Sequence, residues 1–287
     1  MKPFLKDFYI PSPDSHKGQN GKVLIIGGSS LFHSASLWAA EVATHFVDMV
    51  HYSSTSENNK LFLDAKKKFQ NGIVVTSENI PEYVREDDVT LIGPGMVRGT
   101  VSGRDNPWVV PTDEPSYARY LTHKLLTDFP HKKFVIDAGA LQMMERDWLL
   151  QLTEKPIVTP HQLEFEGLFG IAVKDLSREE KITIVTDTAK KYHCIILLKA
   201  VIDIISDGET TYVVEGGNQG LTKGGSGDTL AGLCTSFYAK NNGMLSAVLA
   251  SCFLKKTADE LFKSKGLYYN TADLIAQLPY IVAQFTL

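Results

Sequence analysis

Short apolar segments, each followed by a glycine-rich or polar tip, recur along the chain between longer helix-like segments. The first of them, Val23 to Ile26, ends in Gly27-Gly28-Ser29-Ser30. Fully apolar runs of this length are typical of strands that are buried on both faces of a parallel sheet. The same pattern predicts strands at 73–76, 89–92, 134–136, 157–158 and 195–198.

The segments between these strands have the length and composition of helices. They predict helices over 35–50, 117–128, from 162, and over 178–192, 228–239 and 245–262. Residues 202–206 and 211–215 flank Asp207-Gly208, which is a hairpin signal. Residues 97–118 are polar and rich in breakers, which indicates an irregular excursion. Alternation of strands and helices predicts an α/β fold with three layers, a mostly parallel central sheet carrying helices on both faces.

The overall composition is that of an ordinary globular protein, with 44% apolar and 22% charged residues and a net charge of −4. This balance argues against a general nucleic-acid or anionic-membrane surface. No apolar run reaches the roughly 18 residues of a membrane span, and the N-terminus has no signal-peptide pattern. We therefore expect a cytoplasmic protein with no nucleic-acid and no membrane partner. No change in composition marks a boundary, so one domain over residues 1–287 is predicted.

The glycine stretch, residues 218–231, reads N-Q-G-L-T-K-G-G-S-G-D-T-L-A and runs directly into an apolar segment. If a helix begins at Ser226 or Gly227, its first N–H groups have no intrahelical partner and form an anion site. Asp228 then lies in the first turn, at the mouth of that site. A carboxylate there is a poor phosphate ligand but a suitable base for a hydroxyl next to a phosphate.

Polar residues at other strand ends are expected to meet on the same rim, because ligands of such sheets bind outside the carboxyl ends of the strands. Lys199 directly follows an all-apolar strand, which favours a phosphate partner for it. Asp137 fits a helix cap and a site residue equally well. Glu164 follows His161 by three residues, which is the spacing of a capping pair. The three cysteines are widely spaced, and no His/Cys spacing indicates a protein-held metal.

Taken in order and spacing, these motifs resemble the NAD(P)H-hydrate dehydratases of the ribokinase-like superfamily, from about Lys17 to about residue 260. The motifs are H-K-G (16–18), G-K-V-L-I-I-G-G-S (21–29), G-P-G (93–95), D-A-x-A-L (137–141), T-P-H-x-x-E (159–164), L-K (198–199) and G-x-T-K-G-G-S-G-D-T-L-A-G (220–232). The resemblance implies a three-layer ribokinase-like fold and a hydro-lyase. Such an enzyme uses ADP or ATP, with Mg²⁺, to phosphorylate the 6-hydroxyl of hydrated NADH or NADPH and then eliminates phosphate.

The resemblance also implies residue roles and a homo-oligomer, either a dimer or a tetramer. Asp228 would deprotonate the hydroxyl, and the N–H groups of Gly225, Ser226 and Gly227 would hold the transferred phosphoryl group. The hydrated dinucleotide would be bound by Ala35, Gly95, His161 and Asp228. The nucleotide would be bound by Lys199, Ala200, Val201, Ile202, Asp203 and Gly227. Asp137 and Glu164 would support Mg²⁺ or its waters, with the metal held mainly by phosphates.

The chain departs from the family pattern at four places. The family usually has Thr-Gly-Ala, Asp-Ala-Asp, Lys-Gly and a small or hydroxyl residue where this chain has His33-Ser34-Ala35, Asp137-Ala138-Gly139, Lys199-Ala200 and Lys223. Two other interpretations stay open. One is a ribokinase-like kinase that acts on a thiazole or hydroxymethylpyrimidine alcohol. The other is a non-catalytic nucleotide-binding protein that has drifted from the family.

Overall fold

The strands form one nine-stranded sheet within the residues that the structure describes, a computed structural model covering 4–65, 71–100 and 110–286. They are β1 (Lys22–Ile26), β2 (Met49–Ser53), β3 (Ile73–Val74), β4 (Val89–Ile92), β5 (Lys133–Ile136), β6 (Ile157–Val158), β7 (Ile195–Leu198), β8 (Asp203–Ser206) and β9 (Thr211–Val214). Their order across the sheet is β3-β2-β1-β4-β5-β6-β7-β8-β9. All neighbours up to β7 are parallel, and β7, β8 and β9 pair in antiparallel fashion. The predicted mostly parallel sheet is thus confirmed.

Helices cover both faces of this sheet, as the alternation of elements predicts. They are α1 (Ser34–Ala43), α2 (Ser56–Ala65), α3 (Ile80–Glu86), α4 (Glu114–Asp128), α5 (Ala138–Met143), α6 (Gln162–Phe169), α7 (Arg178–Lys191), α8 (Ser226–Tyr238), α9 (Gly243–Lys265) and α10 (Thr271–Thr286). Short 3-10 turns lie at Phe4–Asp7, Ser77–Asn79, Arg146–Gln151 and Gln219–Thr222. Among the described helices, none is both long enough and apolar enough to cross a membrane.

Two hydrophobic cores lie on opposite faces of the sheet, because successive strand side chains alternate in direction. Val23 and Ile25 of β1 pack into one core with α1, α8, α9 and α10. Leu24 and Ile26 pack into the other core with α3 to α7. Since β1 is apolar at all four of these positions, it is buried on both sides and sits near the middle of the sheet.

The strand register aligns the strand tips along one edge of the sheet. Ile26 pairs with Ile92, Ile92 with Ile136, Ile136 with Val158, and Val158 with Ile196. The glycine-rich and polar residues that follow these strands therefore lie side by side on a single rim. One further parallel bridge, between His161 and Lys199, extends the pairing into the rim itself.

The predicted helix over 35–50 is wrong in its second half. Helix α1 ends at Ala43, and the residues from Met49 onward form β2. Asp48 lies between them, where its carboxylate accepts hydrogen bonds from the N–H groups of Gly18 and Asn20. This contact with a distant loop stabilises a turn that local composition does not reveal.

Other differences lie at element ends or in segments without a prediction. The helix predicted over 117–128 begins earlier, at Glu114, where Asp113 caps it. The predicted excursion over 97–118 falls partly on residues 101–109, which lie outside the described residues. Helices α2, α3, α5 and α10 had no predicted counterpart. Helix α10 contains Pro279, and an internal proline argues against a helix in the sequence. Burial of one apolar face stabilises the helix despite this residue.

Candidate active site

The start of α8 carries the glycine stretch, and the helix begins at Ser226 as predicted. Gly225 caps it with a φ of 98°, a left-handed conformation that glycine adopts without strain. A Cβ on Gly225 would lie 2.6 Å from both Thr271 Oγ1 and Trp38 Cε3. Within the described residues, the N–H groups of Gly225 and Gly227 have no hydrogen-bond acceptor. The helix start therefore presents free donors together with the positive end of the helix dipole.

The side chain of Ser226 adds a second sign of an anion site. Its hydroxyl is buried and has no partner among the residues that the structure describes. Leaving a buried hydroxyl unpaired costs about 1–3 kcal/mol, so such a group calls for an explanation. An oxygen-rich ligand bound at the free N–H groups is the simplest partner for it.

Asp228 lies in the first turn of α8 and is partly buried. Burial raises the pKa of its carboxyl group, the nearby charge of Asp137 raises it further, and Lys199 offsets part of the rise, leaving the pKa at about 7. A carboxyl group with a pKa near neutrality accepts and releases a proton readily under physiological conditions. The position and the acidity of Asp228 both suit a general base.

Lys199 is held over the start of α8 by two acidic residues. Its Nζ lies 2.7 Å from Asp137 Oδ1 and 3.8 Å from Glu164 Oε2. Burial lowers the pKa of Lys199, but the charges of Asp137 and Glu164 outweigh this effect and raise it. A Cβ on Gly227 would lie only 3.6 Å from the Lys199 ammonium. The cation thus stands directly beside the predicted phosphate position.

The side chain of Asp137 does not cap helix α5. It occupies the N-cap position of α5, yet its side chain makes no capping hydrogen bond. Its Oδ1 accepts instead from Lys199 Nζ and from Thr159 Oγ1, each at 2.7 Å. Ala138 beside it has a φ of 43°, a left-handed conformation that costs about 1–2 kcal/mol for a residue other than glycine. Strained backbone of this kind is common at functional sites.

His161 and Glu164 form the capping pair that their spacing predicts. His161 Nδ1 accepts from the Glu164 N–H at 3.1 Å, and Glu164 Oε2 accepts from the His161 N–H at 2.9 Å. Gln142 donates to the other carboxylate oxygen of Glu164 at 2.9 Å. The cap fixes the His161 ring at the rim, where the imidazole is about half exposed and its Nε2 lies 3.6 Å from Glu164 Oε1.

The turn after β7, which holds the predicted nucleotide-binding residues 199–203, is built from behind by α9. Asp203 is buried, and its carboxylate accepts from the Ala200 N–H and from Ser251 Oγ. Lys255 Nζ donates to the carbonyl of Val201 at 2.7 Å and lies 3.5 Å from Asp203. Asp203 therefore shapes the turn, while Val201, 89% exposed, and the half-buried Ile202 form its outer surface.

Sequence reasoning did not single out Ser251 and Lys255. Their spacing of four residues places both on one face of α9, which was the available signal.

Two predicted dinucleotide contacts lie against each other, Ala35 in the first turn of α1 and Gly95 in the loop after β4. A Cβ on Gly95 would lie 2.9 Å from Ala35 Cβ and 3.0 Å from the Phe32 carbonyl. The N–H of Gly28 donates to the Pro94 carbonyl at 2.7 Å, which joins the loops after β1 and β4. The close approach of these loops leaves no room for a side chain at Gly95.

Two of the departures from the family pattern have local structural partners. His33 Nδ1 lies 2.5 Å from Asn58 Oδ1, and Asn58 Nδ2 donates to the Ser29 carbonyl at 3.0 Å. His33 thus fastens the start of α1 to α2. At Gly139 a Cβ would lie 2.2 Å from the Met96 carbonyl oxygen, so the neighbouring loop occupies the space that a side chain would need.

Lys223, the fourth departure, is a structural residue of the glycine stretch. Its Nζ donates to the carbonyls of Leu267 and Tyr269, so its ammonium is engaged away from the anion site. Thr271 Oγ1 donates to the Gly224 carbonyl at 2.7 Å, and Tyr269 OH donates to Asn218 Oδ1 at 2.7 Å. We call these contacts of Lys223, Tyr269 and Thr271 the polar latch, because they join the glycine stretch to the segment that opens α10.

No cluster of three or more His, Cys, Asp or Glu side chains that could hold a metal occurs in the described ranges. Asp137 and Glu164 both face Lys199, which neutralises part of their charge. Their carboxylates suit a hard cation reached through water, while most of its ligands would come from nucleotide phosphates. The residues present thus fit Mg²⁺ that arrives with a nucleotide.

Comparison with known proteins places the chain among relatives along nearly its whole length. A family model described as NAD(P)H-hydrate dehydratase matches residues 23–280. The chain is 34% identical to a bifunctional NAD(P)H-hydrate repair enzyme of Methanocaldococcus jannaschii, covering 95% of this chain and 50% of that protein. It is 30% identical to an ADP-dependent (S)-NAD(P)H-hydrate dehydratase of Nitrosopumilus maritimus, covering 96% of this chain and 94% of that protein.

Solved structures agree on the fold. A ribokinase-like superfamily protein from Enterococcus faecalis superposes with a TM-score of 0.79 at 23% identity, covering all of this chain and 96% of that one. A Bacillus subtilis ADP/ATP-dependent NAD(P)H-hydrate dehydratase co-crystallized with ATP/Mg²⁺ gives 0.77 at 19% identity, covering 98% of this chain and 96% of that one. The predicted ribokinase-like fold is therefore confirmed.

Proposed function

This chain belongs to the NAD(P)H-hydrate dehydratase family, and we propose that it restores NADH and NADPH from their hydrated forms with ADP or ATP as co-substrate. It spans about half the length of the bifunctional relative and nearly all of the single-function one, so only the dehydratase activity is proposed. The observation that carries the proposal is Asp228. Its carboxyl group, with a pKa of about 7, lies beside the free N–H groups at the start of α8.

In the first step Asp228 accepts the proton of the 6-hydroxyl of the hydrated nicotinamide ring. The hydroxyl oxygen forms a bond to the terminal phosphorus of the nucleotide, and the bond from that phosphorus to the departing nucleotide oxygen breaks. The free N–H groups of Gly225 and Gly227 stabilise the charge that develops on the phosphoryl oxygens, and the Ser226 N–H, whose hydrogen bond to the Lys223 carbonyl is long at 3.4 Å, adds to them.

In the second step the new phosphate ester leaves the ring. The C6–O bond breaks and phosphate leaves with the bonding electrons, while the proton lost from the neighbouring ring carbon passes to water and the double bond of the reduced nicotinamide is restored. Phosphate is a far better leaving group than hydroxide near neutral pH. This difference explains why a dehydration would consume a nucleotide at all.

The rim residues divide between the two substrates in this proposal. Ala35, Gly95 and the capped ring of His161 contact the hydrated dinucleotide. Lys199, Ala200, Val201, Ile202 and Gly227 contact the nucleotide, while Asp203 acts by shaping the turn. Asp137 and Glu164 would bind the waters of Mg²⁺, which would be held mainly by the nucleotide phosphates. The metal would neutralise phosphate charge during transfer.

The test is to incubate the protein with hydrated NADH, Mg²⁺ and either ADP or ATP, and to follow absorbance at the NADH band. Wild type should restore the band, and Asp228→Asn should abolish recovery while calorimetry still detects nucleotide binding. Absence of recovery with both nucleotides would overturn the proposal. A small-molecule kinase would instead consume ATP on a thiazole or pyrimidine alcohol without restoring the band.

The family resemblance further supports a cytoplasmic homo-oligomer built from one domain per chain. Light scattering on the purified protein distinguishes a dimer or tetramer from a monomer. A monomeric mass at assay concentrations would contradict this part of the proposal.

A further inference from the structure

The rim around Asp228 has an excess of negative charge for a site that must receive two phosphate-bearing substrates. Three carboxylates, those of Asp137, Glu164 and Asp228, surround one ammonium group, that of Lys199. When Asp228 is ionised, this group of four carries two net negative charges. A further cation of the protein within reach would favour the entry of phosphates beside it, in addition to the Mg²⁺ that accompanies the nucleotide.

The lysines closest to the site chemistry are already paired. Lys199 is shared between Asp137 and Glu164. Lys255 faces Asp203 and the carbonyls of Ala200 and Val201. Lys223 is held by two carbonyls of the polar latch.

Lys174 lies at the same rim but differs from these three lysines in the surroundings of its ammonium group. It lines an open depression of about 330 Å³ together with His161, Gln162, Leu163 and Lys199. In the part of the chain that the structure describes, its ammonium has neither a carboxylate partner nor a hydrogen-bond acceptor. Two site residues and one unpaired cation thus share one wall of the rim.

The loop that carries Lys174 is anchored, so the cation has a defined position. Val173 beside it is fully buried in the core under α6 and α7. The carbonyl of Lys174 accepts a hydrogen bond from Lys181 Nζ at 3.1 Å, and the N–H of Leu176 donates to the Val173 carbonyl. The main chain at 173–174 is therefore held by these contacts, and the side chain of Lys174 is exposed to solvent.

We propose that Lys174 binds a phosphate group of a substrate in the depression that it forms with His161 and Lys199. The inference rests on the proposed function and adds a residue outside the motifs that the family resemblance carries. The phosphate comes either from ADP or ATP, or from the hydrated dinucleotide, whose NADPH form carries an additional 2′-phosphate. In both cases the ammonium supplies a charge-assisted hydrogen bond to phosphate oxygen.

The experiment compares Lys174→Met and Lys174→Arg with wild type. Lys190→Met is the matched control, since Lys190 is an exposed lysine at the opposite end of α7, near the amino end of β7. KM and kcat are measured for ADP, ATP, hydrated NADH and hydrated NADPH. Loss of one partly exposed charge-assisted hydrogen bond should raise KM about 5- to 30-fold for the substrate whose phosphate is held, with kcat little changed. Lys174→Arg should retain most of the affinity, and the control should behave as wild type.

The affected substrate identifies the phosphate. A change confined to hydrated NADPH assigns the 2′-phosphate, one shared by both dinucleotides assigns their pyrophosphate, and one confined to ADP and ATP assigns the donor. Unchanged KM values for all four substrates in Lys174→Met would overturn the inference. Calorimetric binding of ADP and NADPH applies the same test without turnover, so it remains decisive if the wild-type protein fails to restore NADH.

Discussion

At the scale of single residues, the proton on Asp228 is governed by two neighbours of opposite charge. Asp137 raises its pKa and Lys199 lowers it, after burial has already raised it, and the balance is a pKa of about 7. The group therefore changes its charge within the physiological pH range, which an exposed aspartate does not do. Activity that depends on the ionised form must follow this balance.

The pH profile of dehydration should show the pKa of Asp228. For wild type, kcat/KM is expected to fall about tenfold per unit below pH 7, because only ionised Asp228 accepts the hydroxyl proton. Lys199→Met removes the charge that lowers the pKa of Asp228, so the acidic limb should move to higher pH, along with any loss of nucleotide affinity. An acidic limb that stays in place or moves to lower pH would remove Lys199 from this role. Initial rates between pH 5.5 and 9 provide the measurement.

Sequence alone predicted Asp228 as the base but not its acidity. The run of glycines before Asp228 marks an anion site and a carboxylate at its mouth, since both follow from local backbone chemistry. The residues that tune it, Asp137 and Lys199, stand far away in sequence, and only the strand register brings them together. The role of Lys223 was not predictable either, because nothing in the glycine-rich loop indicates its carbonyl partners, which lie in a later segment.

At the scale of elements, α10 contributes to the active site through its first residue. The Thr271 hydroxyl donates to the Gly224 carbonyl and packs where a Cβ on Gly225 would lie. The rest of α10 is anchored in the core by Leu274, Ile275 and Leu278. The glycine stretch therefore takes its shape from a helix about fifty residues later in the chain.

Thr271→Val tests this dependence, because it keeps the volume and removes the hydroxyl. Loss of the hydrogen bond should cost about 1 kcal/mol of stability and lower kcat about tenfold, since the N–H donors lose their alignment. Thr286→Val, at the other end of the same helix, removes a hydroxyl that bonds only within α10 and should leave kcat unchanged. Steady-state kinetics and thermal melting of the two variants make the comparison. Equal kcat values for both would show that Thr271 does not shape the site.

Elements were predictable where one local signal dominates. The apolar strands between breakers, the hairpin at Asp207-Gly208 and the start of α8 all follow from short patterns. The boundary between α1 and β2 was not predictable, because the turn depends on Asp48 reaching Gly18 and Asn20. The α10 helix was missed because its interior Pro279 reads as a breaker, although burial of its apolar face outweighs that penalty.

At the scale of the whole molecule, the sheet order brings the functional residues to one edge. The chain starts near the middle with β1, moves outward to β3, and returns through β4 toward β9. Parallel strands on both sides of β1 place their carboxyl ends on the same rim, where open α/β sheets bind ligands. This organisation was predictable, since the alternation of elements and the chemistry of the strand tips both indicate it.

The pH dependence of the free energy of unfolding should show the effect of burying Asp228. The pKa of an aspartate is about 3.9 in an unfolded chain and about 7 for Asp228 in the folded protein. Between about pH 3.9 and 7 the folded protein holds the Asp228 proton more tightly than the unfolded chain does. Ionisation of Asp228 therefore lowers the free energy of unfolding as pH rises, and the loss reaches about 4 kcal/mol above pH 7. Asp228→Asn removes the effect and should be more stable than wild type at pH 8, while the difference should vanish below about pH 4.

Urea unfolding of both proteins from pH 4 to 8 measures this difference. Asp147→Asn provides the control, because Asp147 is exposed and its replacement should give no pH-dependent gain. A variant no more stable than wild type at pH 8 would contradict the proposed burial cost. A gain accompanied by lost turnover would mark Asp228 as a residue whose function opposes stability.

We expect the contacts of the polar latch to break on heating before the sheet melts. Since Lys223, Tyr269 and Thr271 tie the glycine stretch to the opening of α10, loosening that short junction disorders the phosphate donors while the nine strands stay paired. Local openings of this kind need less free energy than global unfolding. Heat inactivation should therefore precede melting of the sheet and reverse on cooling, so turnover should respond to heating before the secondary structure does.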